Sequence, residues 1–205
     1  MSDSLPILYG KYLSPYVRRV AVTMNRFGMP YEHRVVSAVG DEKEREAVNP
    51  VGRVPALQLP SGEVLIDSAA ILDHLDEVVG PDRTLIPSNG TSRRGALRQL
   101  SIATGAIDRA MAANAERRRV APELARLSRL LRQCHQGFQT MEAALDGQDS
   151  FNGREIQQTD ITIAVGYFFV NHIFPGALPS QEFPKISRLS ARCEQMDSFS
   201  KCPLN

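Results

Sequence analysis

Residues 5–28 read LPILYGKYLSPYVRRVAVTMNRFG, and this stretch decides the fold. LPILY, residues 5–9, is a short apolar run suited to a buried strand. From residue 15 onward Val17, Val20, Ala21, Met24 and Phe27 recur at helical spacing, and Gly28 with Pro30 ends the pattern. The order is strand, loop, Ser14, Pro15, amphipathic helix. A serine followed by proline is also the ordinary signature of a helix start, because serine caps the free N–H groups and proline is tolerated in the first turn.

Strand and helix signals continue to alternate beyond this start. Residues 31–36 are β-branched enough for a second strand, and Asp41–Val48 reads as a short charged helix or an irregular turn. Ala56–Leu59 and Val64–Ile66 flank Pro60, Ser61 and Gly62, a hairpin signal. Ile71, Leu72, Leu75 and Val79 then form the apolar stripe of another helix that stops at Gly80 and Pro81. Residues 81–91 are rich in Gly, Pro and polar side chains and read as a linker between a domain at 1–80 and one at 92–205. In the second half strand signals nearly vanish. Leu124, Leu127, Leu131, Cys134, Phe138, Met141 and Leu145 make one apolar helical seam. ITIAVGYFFV, residues 161–170, is apolar on all sides and leans locally toward strand, but within a helical half it is expected to be a buried central helix.

Composition narrows the function classes. Lys+Arg 24 against Asp+Glu 23 leaves a net charge of +1, which recommends neither nucleic acid nor an anionic membrane as partner. The start lacks a secretory signal and no segment approaches the roughly 20 apolar residues of a membrane span, so a soluble, cytoplasmic protein is expected. Cys134, Cys193 and Cys202 form no CxxC pair, and the four histidines lack ligand spacing, so no metal is expected.

Three segments can carry chemistry. Ser14 stands where a helix N-terminus offers unpaired N–H groups and partial positive charge, a place that suits a thiolate. Lowering a thiol pKa from roughly 8.5 by ~2 units requires roughly 2.7 kcal/mol. A hydrogen bond to a charged group supplies roughly 1.5–3 kcal/mol and a helix terminus ~0.3–1, so the two together suffice. In NPVGRVPAL, residues 49–57, Pro55 directly precedes a strand. The dipeptide alone predicts a trans bond, and a cis bond would let Val54 pair with an extended peptide ligand as an added strand does. In VLIDSAAIL, residues 64–72, Asp67 and Ser68 open a helix. They form either a simple cap or a seat for an α-amino acid group, with its carboxylate on Ser68 and the helix N–H groups and its ammonium near Asp67.

Taken together, YLSPYVRRV, NPVGRVPAL and DSAAILDHLDE resemble the serine-type active-site loop, the cis-proline segment and the acidic-serine motif of the glutathione transferase family. The helical second half and the ending FPKISRLSARCEQMDSF resemble it too. The resemblance implies an α/β thioredoxin-like N-terminal domain, an all-α C-terminal helical bundle and a homodimer. It implies that Ser14 bonds the glutathione sulfur, that Val54 before cis-Pro55 pairs with the cysteinyl backbone, and that Asp67 and Ser68 hold the γ-glutamyl end, with Arg53 nearby. Tyr9, at the end of the first strand, is the rival to Ser14, because other classes use a tyrosine there. A small hydrophobic electrophile would lie between the domains, with Tyr12, Met111 and residues 116–119 (ERRR) as candidates. For ERRR a solvated helix face is the alternative. No cofactor or metal is implied beyond glutathione as co-substrate. Peroxide reduction, isomerisation, or a non-catalytic binding role on the same fold are the other functions in view.

The chain departs from the family pattern at three points. No cysteine stands at the Ser14 position, so thiol–disulfide exchange is not expected. Gln157 replaces the Ser or Thr that usually opens the central buried helix three residues before Asp160, with stability rather than catalysis affected. The group for the glycyl carboxylate is not assigned, Lys43 and Arg45 being only nearby.

Overall fold

Ile7–Tyr9 forms the first strand, β1, and the helix opened by Ser14 is α1 (Pro15–Phe27). The structure, a computed structural model, describes residues 4–36, 41–145, 150–151, 153 and 155–204. It contains two compact units, one of Met1–Thr84 with Gln195–Asn205 and one of Leu85–Glu194.

In the first unit α1 is followed by β2 (Glu32–Arg34), α2 (Glu42–Val48), β3 (Ala56–Gln58), β4 (Val64–Leu65) and α3 (Ser68–Val79). The strands order as β2-β1-β3-β4. β1 runs parallel to β2, with Leu8 opposite His33, and antiparallel to β3, with Leu8 opposite Leu57. A parallel neighbour requires a crossover, and α1 supplies it. Alternation along β1 sends Leu8 to one face and Tyr9 to the other. Tyr9, Val36 and Ala56 form a buried cluster with Ile7, Val48 and Val64, which brings the end of α2 under the sheet. Leu8, Leu57 and the stripes Val17–Val20–Ala21–Met24 and Ile71–Leu72–Leu75 are buried, with α1 packed on β1 and α3 and with α3 packed on β3. This is the thioredoxin-like sheet and helix arrangement that the resemblance implies. The segment expected at 31–36 is strand only over Glu32–Arg34, and Asp41–Val48 resolves to a helix from Glu42.

The segment Gln195–Asn205 contains α8 (Asp197–Ser200) and groups with the first unit, whereas the sequence assigned 92–205 as a whole to the helical half. Side chains of α1 hold it. Arg18 donates through Nε to the Cys202 carbonyl at 2.9 Å and lies over the Phe199 ring, while Asn25 donates to the Ser198 carbonyl at 3.1 Å.

The second unit is helical throughout: α4 (Gly90–Arg117), α5 (Leu124–Ala144), α6 (Gln158–Ile173) and α7 (Pro184–Glu194). The seam read on α5 is buried at Cys134, Phe138 and Met141, but Leu124 at its start is 73% exposed and Leu130 takes a core position instead. The apolar run 161–170 is α6, packed between α4 and α7. Burial on every side erases periodicity, and the helix is set by its ends and neighbours. At its start the Asp160 carboxylate accepts from the N–H of Gln157 at 2.8 Å and of Phe151 at 2.9 Å. Gly166 lets α6 close on α4, since a Cβ there would stand 2.6 Å from Ile107 Cδ1. Among the described residues no helix is long and apolar enough to cross a membrane.

Candidate active site

The loop that carries Ser14 leaves β1 through Gly10, and nothing but glycine fits there. Its φ of 123° lies in the region disfavoured for L residues, and an added Cβ would lie 2.6 Å from Val17 Cγ2 and 2.9 Å from Val54 Cβ. The close approach matters because it sets the end of β1, the first turn of α1 and the Val54–Pro55 segment against one another. The Val54–Pro55 bond is cis, as the resemblance implies and the dipeptide alone does not.

Ser14 is the N-cap of α1 with an extended backbone, and its hydroxyl accepts from Val17 N–H at 3.4 Å. That distance is long for a cap bond, so the oxygen is only weakly engaged. The residue is half-buried, at the end of a helix whose first N–H groups point into the loop. Tyr9, its rival, is 3% exposed on the opposite course. The Tyr9 hydroxyl donates to Gln58 Oε1 at 2.8 Å and accepts from Arg34 at 3.3 Å, with the Arg34 guanidinium over its ring. Its phenol is thus taken up by neighbouring strands.

The segment before Pro55 is built by two side chains that sequence reading did not single out for this purpose. Asn49 is buried, donates to the Arg53 carbonyl at 2.9 Å and accepts from Val51 N–H at 2.9 Å. Arg45, considered above only as a neighbour of a carboxylate site, is buried and donates to the Gly52 carbonyl at 3.1 Å. A polar residue that must be buried within a turn is the signal that could have found Asn49. The Arg53 side chain is exposed.

At the start of α3, Asp67 caps the helix by accepting from Ala69 N–H at 2.8 Å, and the Ile66–Asp67 bond is also cis. Ser68 is 4% exposed and accepts two bonds from the equally buried Arg19 of α1, from Nε at 3.2 Å and Nη2 at 2.9 Å. A hydroxyl has two acceptor positions and one proton. Arg19 fills the acceptor side, which leaves the Ser68 proton for an anionic group. In the sequence Arg19 carries no signal of this role beyond its place in YLSPYVRRV, although it lies within a helix buried along most of its length.

Tyr12 is half-buried beside Ser14. Its hydroxyl is 2.9 Å from that of Tyr31, whose oxygen is in turn 3.9 Å from Cys202 Sγ. Burial raises both phenols above their ordinary range; for Tyr31 the bond to Tyr12 adds to the rise, whereas for Tyr12 the bond to Tyr31 opposes it. Both are neutral hydroxyls near pH 7, able to donate but not to act as phenolates. Met111, on α4 of the second unit, is 39% exposed. In the 116–119 stretch the two ends behave differently. Glu116 is buried, accepts from Glu123 N–H at 2.9 Å and pairs with Arg119 and Arg126 at 3.3 Å, which holds its carboxyl below the usual range. It ties the end of α4 to the start of α5, while the arginines after it are exposed, and Arg117 lies over the Phe174 ring at 4.3 Å. Among the described residues no cluster of His, Cys, Asp and Glu could hold a metal ion.

Comparison with known proteins agrees with this arrangement. A family model for the glutathione S-transferase N-terminal domain matches residues 8–82. A glutathione S-transferase of Triticum aestivum is 28% identical over 99% of this chain and 92% of its own length. A probable maleylacetoacetate isomerase of Drosophila melanogaster is 38% identical over 48% of this chain and 44% of that protein. The crystal structure of a glutathione S-transferase from Methylobacillus flagellatus with glutathione bound is 26% identical, with a TM-score of 0.90 over 98% of this chain and 100% of that one. Residues 8–82 thus match the glutathione S-transferase N-terminal domain, and the mixed sheet followed by a helical second unit is the fold of solved glutathione S-transferases.

Proposed function

We propose that the chain is a glutathione transferase in which Ser14 stabilises the thiolate of bound glutathione for attack on a small hydrophobic electrophile. The observation that carries the assignment of Ser14 is its weakly engaged hydroxyl at the N-terminus of α1, set against a Tyr9 hydroxyl already bonded to Gln58 and Arg34. In this reading the Ser14 proton and the first N–H groups of α1 face the sulfur. The main chain of Val54 beside Pro55 pairs with the cysteinyl residue, Ser68 donates its proton to the γ-glutamyl carboxylate, and Asp67 attracts the ammonium. Arg53, exposed at the same loop, adds positive charge toward the peptide's acidic end. The thiolate attacks the electrophilic carbon directly. The protein contributes ionisation and proximity, with no covalent intermediate on the enzyme. The protein works in the cytoplasm as a homodimer, and Tyr12, half-buried in the loop before Ser14, contacts the electrophile.

Titration of bound glutathione, followed by thiolate absorbance in the wild type and in Ser14→Ala, tests the reading. The wild type should bind glutathione with a thiol pKa depressed by about 2 units, and Ser14→Ala should return about 1–2 of them. Binding without a depressed thiol in the wild type would remove the catalytic reading. An equal shift in both proteins would return the role to Tyr9 or the helix alone. The match to an isomerase over 48% of the chain favours a second use of the same thiolate, reversible addition to a conjugated double bond followed by rotation and release. Turnover of chlorodinitrobenzene compared with maleylacetoacetate and cumene hydroperoxide separates conjugation from isomerisation and peroxide reduction.

A further inference from the structure

His33 of β2 has no part in the chemistry above, yet it makes two contacts with the loop that carries Ser14. Its Nε2 is 2.6 Å from the Gly10 carbonyl oxygen. A carbonyl only accepts, so Nε2 bears the proton of this bond. Its ring stacks on Tyr12, with centroids 3.9 Å apart and planes 11° from parallel. The N–H of Gly10 meanwhile donates to the Arg34 carbonyl at 2.9 Å, and the Tyr12 hydroxyl meets that of Tyr31. Residues 31–34 therefore grip Gly10 by both of its peptide groups and Tyr12 by its ring face and its hydroxyl. Beyond those two points the loop has one internal tie, from Ser14 N–H to the Lys11 carbonyl at 3.0 Å. Since Gly10 has no side chain and φ freedom to spare, its peptide is the place where the loop would otherwise swing.

We propose that His33 is a positioning residue for the thiolate site: by holding Gly10 and Tyr12 together it fixes where the Ser14 hydroxyl stands relative to the first N–H groups of α1. The inference rests on the reading that Ser14 faces the sulfur. His33 does not touch glutathione. Its effect is on the angle and distance at which the thiolate is received, and displacements near 1 Å are costly at a reacting centre.

Two variants separate its two contacts. His33→Phe keeps a flat ring over Tyr12 and loses the donor, whereas His33→Gln keeps a donor and loses the stack. Without any ligand, hydrogen exchange at the hydrogen-bonded amides of Gly10 and Ser14 should be about fivefold faster in His33→Phe than in the wild type, and nearer the wild type in His33→Gln. Unchanged exchange in His33→Phe overturns the proposal whether or not glutathione binds. With glutathione and chlorodinitrobenzene, kcat of His33→Phe should fall about tenfold while KM for glutathione moves less than about twofold. Affinity for S-methylglutathione, which lacks an ionisable thiol, should stay the same. A parallel loss of affinity for both peptides would overturn the proposal, because it would mean that His33 supports binding in general. A wild type that binds glutathione with an ordinary thiol pKa would instead defeat the transferase reading, and the exchange measurement would still decide whether His33 holds the loop.

Discussion

Removing the Ser68 hydroxyl should cost this protein stability as well as affinity. Arg19 and Ser68 are each 4% exposed, and two guanidinium N–H groups at 3.2 and 2.9 Å share the Ser68 oxygen. In Ser68→Ala those donors face a methyl group where water has little access. One hydrogen bond to a charged group is worth about 1.5–3 kcal/mol. The second, to the same oxygen, adds less than its full value, and Arg19 retains a further interaction. A loss of about 2–3 kcal/mol is expected. At this chain length each kcal/mol corresponds to about 2–4 °C, so Tm should fall by about 5–10 °C. Thermal unfolding followed by circular dichroism measures it, with Asp67→Ala as comparator, since losing that exposed cap should cost only about 1 kcal/mol. In a double-mutant cycle with Arg19→Met the two changes should be strongly non-additive. The glutathione KM of Ser68→Ala should also rise about tenfold with kcat little changed, because the lost proton lies away from the sulfur. A Tm shift within about 1 °C, or one smaller than that of Asp67→Ala, would refute the claim that Arg19 depends on Ser68.

Two further changes probe the frame. Gly10→Ala places a Cβ against Val17 and Val54 in a disfavoured φ region, so it should destabilise by about 2–4 kcal/mol and lower kcat, checked by urea unfolding and steady-state kinetics. Asp160 titrates in the opposite sense to a typical paired carboxylate. Burial is the largest influence and raises its carboxyl above 3.8, despite the bonds from Gln157 and Phe151. The folded state therefore holds that proton at pH values where the unfolded chain has released it, and this residue's contribution to stability falls as pH rises through the window above 3.8. Asp160→Asn should flatten the decline in urea midpoint as pH rises above 3.8, and an unaltered slope would count against it.

Much of the first unit was legible because its signals are local. Ser14–Pro15 marks a helix start, Gly28 its end, and the Pro60–Gly62 turn a hairpin, each through backbone preferences that act within a few residues. The thioredoxin-like topology came from the resemblance. What the sequence concealed depends on contacts distant along the chain. Arg19 looks like a solvated charge until α3 brings Ser68 to it. Asn49 looks like an ordinary turn residue until Arg53 and Val51 close around its amide. Leu124 fits the apolar period of α5, yet among the described residues it stands 73% exposed. The cis geometry at Val54–Pro55 came from the company of motifs, whereas Ile66–Asp67 carried no proline to announce it.

The return of residues 195–204 to the first unit bears on how the protein is made. Arg18 and Asn25 lie early in the chain, but the carbonyls of Cys202 and Ser198 that they bind are translated only after the entire helical unit. A ribosome-bound chain can form the sheet and α1 while it waits, with part of α1 still uncovered. The first unit would then be the first to begin folding and the last to finish, and a fragment ending near Thr84 would carry an open seam along α1 into any fusion built from it.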